Sequence, residues 1–337
     1  MPHESDPDLK EKPEKEQDLH RNALILNIQR LSTEDGPGIR TTVFFKGCPL
    51  SCEWCHNPES ISRSPQLQWF SARCIGCGTC VQACFEGALQ LSETGVEIDR
   101  TACTGCGDCA ALCPANAMEL LGTGITVEEL LADVLKDRTF YETSGGGVTV
   151  SGGEPTQQAG FVEVFLRELK AEGIHTALDT CGLCTWSTME RLIPHLDLIL
   201  FDVKLIENDR HLLHTGQENT LILENLARIR EAQNTDFPGL QLWIRTPLIP
   251  HATANQETIS AIGRYLSENT CGGIERWELC SFNNLCLSQY ERLGLSWCYA
   301  GEPLLERGTI MALETEARNT GPSGSIIQAT GPSRFEG

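Results

Sequence analysis

The sequence predicts an α/β protein: an open or partial (β/α)6 barrel, interrupted near its start by a small cysteine-rich insert. Three observations predict it. Six short apolar runs alternate with helix-like stretches, as right-handed βαβ units and a parallel sheet require. Most of the 17 cysteines crowd into the first third of the chain at regular spacings. With 337 residues, 40% of them hydrophobic, there is room for one large core and a small module.

The elements follow in order. Residues 41–45 form the first strand, after which the insert intervenes, and the barrel pattern resumes beyond Leu121. Thr126 and Glu129 read as a capping box opening a helix, with Val127, Leu130, Leu131, Val134 and Leu135 at helical spacing. Strands are expected at 148–150, 174–178, 198–201, 240–244 and 276–280. Helices are expected at 161–169, stopped by Gly173, and at 221–229. The barrel therefore takes residues 21–63 and 121–315, and the insert 64–120. Residues 1–20 are charged and poor in apolar side chains, which predicts a disordered acidic tail. Residues 316–337, rich in Gly, Pro and Ser, read as a loose C-terminal tail.

A formal net charge of −20 disfavours nucleic acid as a partner, because phosphate binding relies on clustered Lys and Arg. No apolar run approaches the ~20 residues needed to span a bilayer, and the N-terminus lacks the regions of a targeting peptide. Cysteines in cluster spacings rather than a small secreted framework indicate a reducing, cytoplasmic and anaerobic setting.

Cys48, Cys52 and Cys55 stand in a C-x3-C-x2-C triplet just after the first strand. Three thiolates hold only three irons of a 4Fe-4S cube, so one iron is left open for a substrate or cofactor. Zinc sites differ in using C-x2-C pairs and a fourth ligand. In the insert, Cys74, Cys77, Cys80 and Cys84 form C-x2-C-x2-C-x3-C, and the spacing returns 29 residues later as Cys103, Cys106, Cys109 and Cys113. Gly76 matches Gly105, Gly78 matches Gly107 and Ala88 matches Ala117. This duplicated unit resembles the two-cluster bacterial ferredoxin. The resemblance implies crossed ligation, with Cys74, Cys77, Cys80 and Cys113 on one 4Fe-4S cluster and Cys84, Cys103, Cys106 and Cys109 on another. Pro114 follows the second run as that pattern expects, whereas Phe85 follows the first. Such an insert serves electron delivery or scaffolding.

Around the triplet, Asp35-Gly36-Pro37-Gly38-Ile39-Arg40 and His56-Asn57-Pro58-Glu59 closely resemble the N-terminal signature of the radical S-adenosylmethionine (radical SAM) enzymes that activate glycyl radical enzymes. The resemblance implies a radical SAM barrel and assigns a candidate to each strand end. Gly152, Gly153 and Glu154 would receive the amino end of S-adenosylmethionine. Asp179 and Thr180 would lie near its methionyl group and help hold a monovalent cation. Cys181 departs from the family pattern by replacing an Asn. In Asp202-Val203-Lys204, Lys204 would pair with the cofactor carboxylate and Asp202 would orient the cofactor or the incoming glycine loop, making these two the catalytic candidates. Arg245 would point at the cofactor, and Trp54, Cys55 and His56 would contact adenine. Asn283 stands where the family usually has His.

The implied activity is reductive cleavage of S-adenosylmethionine to methionine and a 5′-deoxyadenosyl radical, which takes the α-hydrogen of one glycine in a partner enzyme. Implied cofactors are three 4Fe-4S clusters and S-adenosylmethionine; implied partners are a glycyl radical enzyme and a flavodoxin or ferredoxin donor. Two alternatives stay open: a radical SAM enzyme acting on a small molecule, and a ferredoxin-like electron carrier with a vestigial barrel. Cys184, Cys271, Cys280, Cys286 and Cys298 fit no cluster spacing and read as buried small hydrophobes.

Overall fold

The computed structural model describes residues 22–269 and 273–334. The expected acidic tail and Cys271 lie outside the described residues. The chain runs β1 (Asn22–Ser32), β2 (Arg40–Phe45), β3 (Gln66–Trp69), α1 (Thr79–Ala83), β4 (Leu89–Ser92), β5 (Gly95–Ile98), α2 (Asp108–Ala111), β6 (Met118–Leu121) and β7 (Thr123–Thr126). It continues through α3 (Val127–Val134), α4 (Arg138–Ser144), β8 (Gly147–Gly152), α5 (Ala159–Ala171), β9 (His175–Thr180), α6 (Trp186–Leu192), β10 (Leu198–Asp202), α7 (Asn208–Thr215) and α8 (Thr220–Asn234). It ends with β11 (Gln241–Leu248), α9 (Gln256–Asn269), β12 (Arg276–Ser281), α10 (Leu287–Leu293), α11 (Arg307–Thr320) and β13 (Ile326–Thr330).

Nine strands form one sheet in the order β13-β12-β11-β10-β9-β8-β2-β1-β7. β2 and β8 to β13 run parallel; β1 is antiparallel to β2, and β7 to β1. All six predicted strands are present. Their ends were misjudged because the polar residues there belong to the strands: Ser151, Asp179, Thr180, Asp202 and Arg245 lie inside β8 to β11. The Thr126–Glu129 capping box opens α3 as expected, both of its hydrogen bonds being made.

The C-terminal stretch is not loose. Ser325 Oγ donates to Ile274 O at 2.6 Å and Ile326 N to Glu275 O at 2.8 Å, so the run after the Gly-Pro-Ser-Gly turn is zipped onto β12. Ile327 on β13 and Leu313 and Ala317 on α11 join the main core. The turn residues read as disorder, but they serve a tight crossover into a seventh parallel strand.

The insert is closed at its root by β3 pairing with β6, and it carries the β4–β5 hairpin. Its core is separate and small, built on Leu67, Leu89, Val96, Met118 and the cysteines Cys80 and Cys109. The matched Gly78 and Gly107 sit in left-handed conformation, at φ 72° and 87°, immediately before α1 and α2. Side chains rarely adopt that conformation, which explains why glycine recurs in both repeats.

Candidate active site

The cysteine triplet occupies the loop after β2, and the chain laces that loop at both ends. Gly47 N donates to Ser60 O (2.7 Å) and Cys48 N to Ile61 O (3.0 Å). At the far end, Ser51 N and Glu53 N donate to the last carbonyls of α7, Thr215 O and His214 O (2.8 and 3.1 Å). Tyr290 OH donates to Cys55 O at 2.9 Å and Trp297 Nε1 to Glu53 O at 3.0 Å. Trp54 packs with Ile249, Phe282, Tyr290 and Trp297 in a second apolar cluster. Burial pushes the Cys48 thiol up to about 12 and raises Cys52 and Cys55 as well. Thiolates in so dry a setting are costly unless a cation stands against them.

These three cysteines face a cavity of about 520 Å³ at the strand ends. The next strand crosses directly over the loop. Gly153 N donates to Phe45 O and Glu154 N to Gly47 O, at 2.9 and 2.8 Å. A Cβ on Gly152, where φ is 116°, would lie 2.2 Å from Phe45 N, and one on Gly153 would lie 2.4 Å from Gly47 O. Only bare backbone fits here, and both glycines line the cavity.

Glu154 does not. Its carboxylate is fully buried and accepts from Thr180 Oγ1 (2.9 Å), Cys181 N (2.8 Å) and Thr156 N (3.1 Å). It braces the end of β9, and the protein's own donors satisfy it where an ammonium group was expected. Val203 is likewise absent from the cavity wall. Its N donates to Arg245 O and its carbonyl accepts from Thr246 Oγ1, each at 2.8 Å, while its side chain joins the main core. Side-chain alternation explains this: in Asp202-Val203-Lys204 the outer two face the cavity and the middle one faces away.

Trp54, Cys55, His56, Asp179, Thr180, Asp202, Lys204, Arg245 and Asn283 all line the cavity. Lys204 Nζ pairs with Asp202 Oδ2. Burial alone would lower the ammonium, but the carboxylate beside it wins and the value is raised. Asp179 accepts from Ser151 Oγ at 2.7 Å and lies 3.5 Å from Arg245. Burial, reinforced by Asp202 and Asp35 and opposed by Arg245, pushes its carboxyl up to about 6. Arg245 also donates to Glu34 O, and it pairs with Glu278 at 3.3 Å and Asp35 at 3.9 Å. His56 Nε2 meets Asn283 O at 3.1 Å, whereas the Asn283 side-chain oxygen accepts from Leu285 N at 3.2 Å. The cavity lining sets the acids Glu34, Asp179 and Asp202 against the bases His56, Lys204 and Arg245, so it offers both signs of charge to a ligand that carries both.

The sequence did not single out Glu278, which is 6% exposed and holds Arg245 on one side and Arg276 on the other. The signal was available as the one acid set between the apolar residues Trp277 and Leu279 of β12. Asp35 and Arg40 prove to be builders. Asp35 accepts from Ser32 and Thr42 hydroxyls at 2.6 Å, and buried Arg40 reaches Thr149 Oγ1 (2.6 Å) and Val148 O (2.8 Å), fixing the Gly-Pro-Gly turn beneath Arg245. The reading of the leftover cysteines needs correction. Cys184 and Cys286 are buried, but Cys298 is exposed, and Cys280, partly exposed at the end of β12, lines the cavity together with Cys181.

In the insert, Cys74, Cys77, Cys80 and Cys113 line one small cavity, and Cys84, Cys103, Cys106 and Cys109 line another. Ala88 N donates to Cys84 Sγ (3.3 Å) and Ala117 N to Cys113 Sγ (3.2 Å), the same contact in both repeats. Among the described residues no three His, Cys, Asp or Glu side chains converge tightly enough for a single metal ion. Zinc would draw its thiolates to ~2.3 Å from one centre, whereas a 4Fe-4S cluster takes one thiolate on each iron.

A parallel partial barrel with a three-cysteine loop after its first parallel strand, and with charged groups at the following strand ends, defines a radical SAM enzyme. Residues 101–261 match the Radical SAM superfamily and residues 73–117 a 4Fe-4S dicluster domain. The isethionate sulfite-lyase activating enzyme of Nitratidesulfovibrio vulgaris is 39% identical over 311 residues, 91% of this chain and 98% of that protein. The trans-4-hydroxy-L-proline dehydratase activating enzyme of Clostridioides difficile is 39% identical over 84% of this chain and 91% of its own length. The benzylsuccinate synthase activating enzyme of Thauera aromatica is 39% identical over 82% and 83%. The chain belongs to the radical SAM enzymes that activate glycyl radical enzymes. It is an oxidoreductase that carries a 4Fe-4S cluster and cleaves S-adenosylmethionine to a 5′-deoxyadenosyl radical. No helix among the described residues is long and apolar enough to cross a membrane.

Proposed function

We propose that the protein holds three 4Fe-4S clusters and uses them to place a radical on one glycine of a partner enzyme. Cys48, Cys52 and Cys55 hold the catalytic cluster with one iron open; Cys74, Cys77, Cys80 and Cys113 hold a second, and Cys84, Cys103, Cys106 and Cys109 a third. The observation that carries this reading is the convergence of three half-buried cysteines, the Asp202–Lys204 pair and the Asp179–Arg245 pair on one cavity. When bound and reduced, the cluster supplies the electron that splits the carbon–sulfur bond of S-adenosylmethionine.

The chain's own residues bind, orient and exclude water. Gly152 and Gly153 line the cavity with bare backbone, which would receive the methionyl end, and their lack of a side chain lets this turn sit directly on the backbone of Phe45 and Gly47. Lys204, kept charged by Asp202, would pair with the cofactor carboxylate, and Asp179 and Thr180 would lie near the methionyl group and help hold a monovalent cation. Arg245, held by Glu278 and Asp35, and Asn283 border the rest of the cofactor, while Trp54 and the Cys55–His56 backbone shield the adenine side. Glu154 and Val203 act one layer back, Glu154 through Thr180 and Val203 through Arg245. A flavodoxin or ferredoxin delivers electrons through the insert, residues 64–120, to the barrel, residues 21–63 and 121–315 with β13 added. The setting is the anaerobic cytoplasm. The protein substrate is a glycyl radical enzyme of the lyase, dehydratase or synthase kinds named by the relatives.

Iron and sulfide analysis with low-temperature electron paramagnetic resonance on anaerobic, reduced protein tests this. The expected result is about twelve irons and one cluster signal that changes shape on adding S-adenosylmethionine. About eight irons and no response to the cofactor would mark a ferredoxin-like carrier instead.

A further inference from the structure

The cavity reaches the flank of the sheet where β13 is the terminal strand. Among the described residues no further strand covers its outer edge. Ile326 N donates inward to Glu275 O, and in a parallel ladder inward-bonded residues alternate, so 326, 328 and 330 bond toward β12. Residues 327 and 329 turn their backbone outward. Ile327 O already accepts from Arg318 at 3.1 Å. Ala329 is the next outward position, and among the described residues no side chain or neighbouring loop bonds to its N–H or carbonyl. One residue further on, Thr330 and Gly331 line the active-site cavity.

We propose that the outer edge of β13 receives the glycine-bearing segment of the partner enzyme as an added strand, paired at Ala329 and led from there into the cavity. This rests on the reading of a protein substrate given above. The atom to be attacked is a backbone Cα–H on a residue with no side chain, so recognition through backbone hydrogen bonds suits it better than a side-chain pocket. Strand addition supplies affinity through main-chain bonds and leaves sequence unread. A strand advances ~3.3 Å per residue, so a segment paired at Ala329 enters the cavity within a residue or two. The edge is short and Pro332 follows it, which limits indiscriminate pairing with other chains.

The test replaces the outward N–H by proline, Ala329→Pro, with Ala329→Ser as the variant that keeps it. The probe is whichever of isethionate sulfite-lyase, trans-4-hydroxy-L-proline dehydratase and benzylsuccinate synthase acquires a glycyl radical doublet from the wild-type holoprotein. Losing the paired bond should cut radical yield at subsaturating partner about tenfold in Ala329→Pro. Ala329→Ser should match wild type, and both variants should retain iron content and partner-free cleavage of S-adenosylmethionine. In the wild type, amide hydrogen exchange in residues 326–331 should slow when the partner is added, a readout independent of any variant's folding. Wild-type radical yield in Ala329→Pro, or unchanged exchange, overturns the edge. So does a dimer of this chain that the proline abolishes without affecting radical yield. No doublet on any probe overturns the edge and the partner reading together, whereas loss of cofactor cleavage in the wild type would strike the enzyme reading itself.

Discussion

The barrel loop and the insert hold cysteines differently. In the loop, protein packing comes first: the three cysteines are half-buried, desolvation disfavours ionisation of every one of them, and five loop backbone groups are tied down by Thr215, His214, Tyr290, Trp297 and Ile61. In the insert the helices have five and four residues, Cys77 and Cys106 are exposed, and two of the core members are themselves cysteines. There the Thr79 hydroxyl lowers the Cys77 thiol and N–H groups of Met118, Ala117 and Ala115 outweigh burial to lower Cys113, while burial raises Cys80 and pushes Cys109 up to about 11, so the insert's thiols are split where the loop's are uniformly raised. A preformed dry pocket can present an incompletely ligated cluster to a substrate, whereas a small module with little apolar core depends on its clusters to fold. The comparison teaches that ligand spacing alone separates these sites less well than what surrounds the sulfur.

The largest effect should come from the loop. Cys52→Ala should abolish cleavage of S-adenosylmethionine while keeping about two-thirds of the iron, as product analysis and iron content would report. Cleavage at the wild-type rate would remove the catalytic assignment. In the insert, Cys106→Ala should slow turnover about tenfold with reduced flavodoxin or ferredoxin, yet leave it within about twofold when a strong chemical reductant replaces the protein donor. Equal loss with both donors would make the module a scaffold and erase the functional half of the contrast.

How far the sequence revealed these regions follows the same divide. The insert was legible because cysteines and glycines repeat at fixed spacing, and each crossed cysteine set lines one of two small cavities. The barrel strands were legible as apolar runs, but where each one stops was not, since Asp179, Asp202 and Arg245 interrupt the apolar pattern that reveals a strand. β13 was missed because a six-residue run between Gly-Pro-Ser-Gly and Gly-Pro looks like punctuation until Glu275 is known to receive it. Glu154 shows a different limit. A motif names a residue type and a place, but only packing shows that its carboxylate is already occupied by Thr180 and Cys181.

A smaller effect sits in the charge balance of the cavity. The Asp179 carboxyl is raised from 3.8 to about 6, so the folded chain favours its neutral form. That stabilisation is complete below the unfolded value and is lost as pH rises through about 6. A cationic ligand beside Asp179 prefers the opposite form. Affinity for S-adenosylmethionine should therefore hold above pH 6 and weaken below it, by up to about tenfold per unit. Isothermal titration across pH should show the bend, and Asp179→Asn should flatten it; a bend that survives in Asp179→Asn assigns it to another group.

The smallest expected effect is at Cys181, and it bears directly on whether the loop cluster is open. Cys181 is buried, faces the cavity from the end of β9, and is fixed through its main chain, whose N–H donates to Glu154 at 2.8 Å. That bond survives any side chain of similar size. If the thiol only packs, Cys181→Asn, which restores the family pattern, should change cofactor cleavage by no more than about twofold. It should leave the cluster spectrum unchanged before S-adenosylmethionine is added. If the thiol instead reaches the fourth iron in the resting enzyme, the variant will alter that spectrum and bind the cofactor more tightly, because a competing ligand is gone. The first outcome keeps three ligands against four as the distinction between loop and insert. The second makes the loop cluster closed at rest, and opens it only when the substrate displaces Cys181.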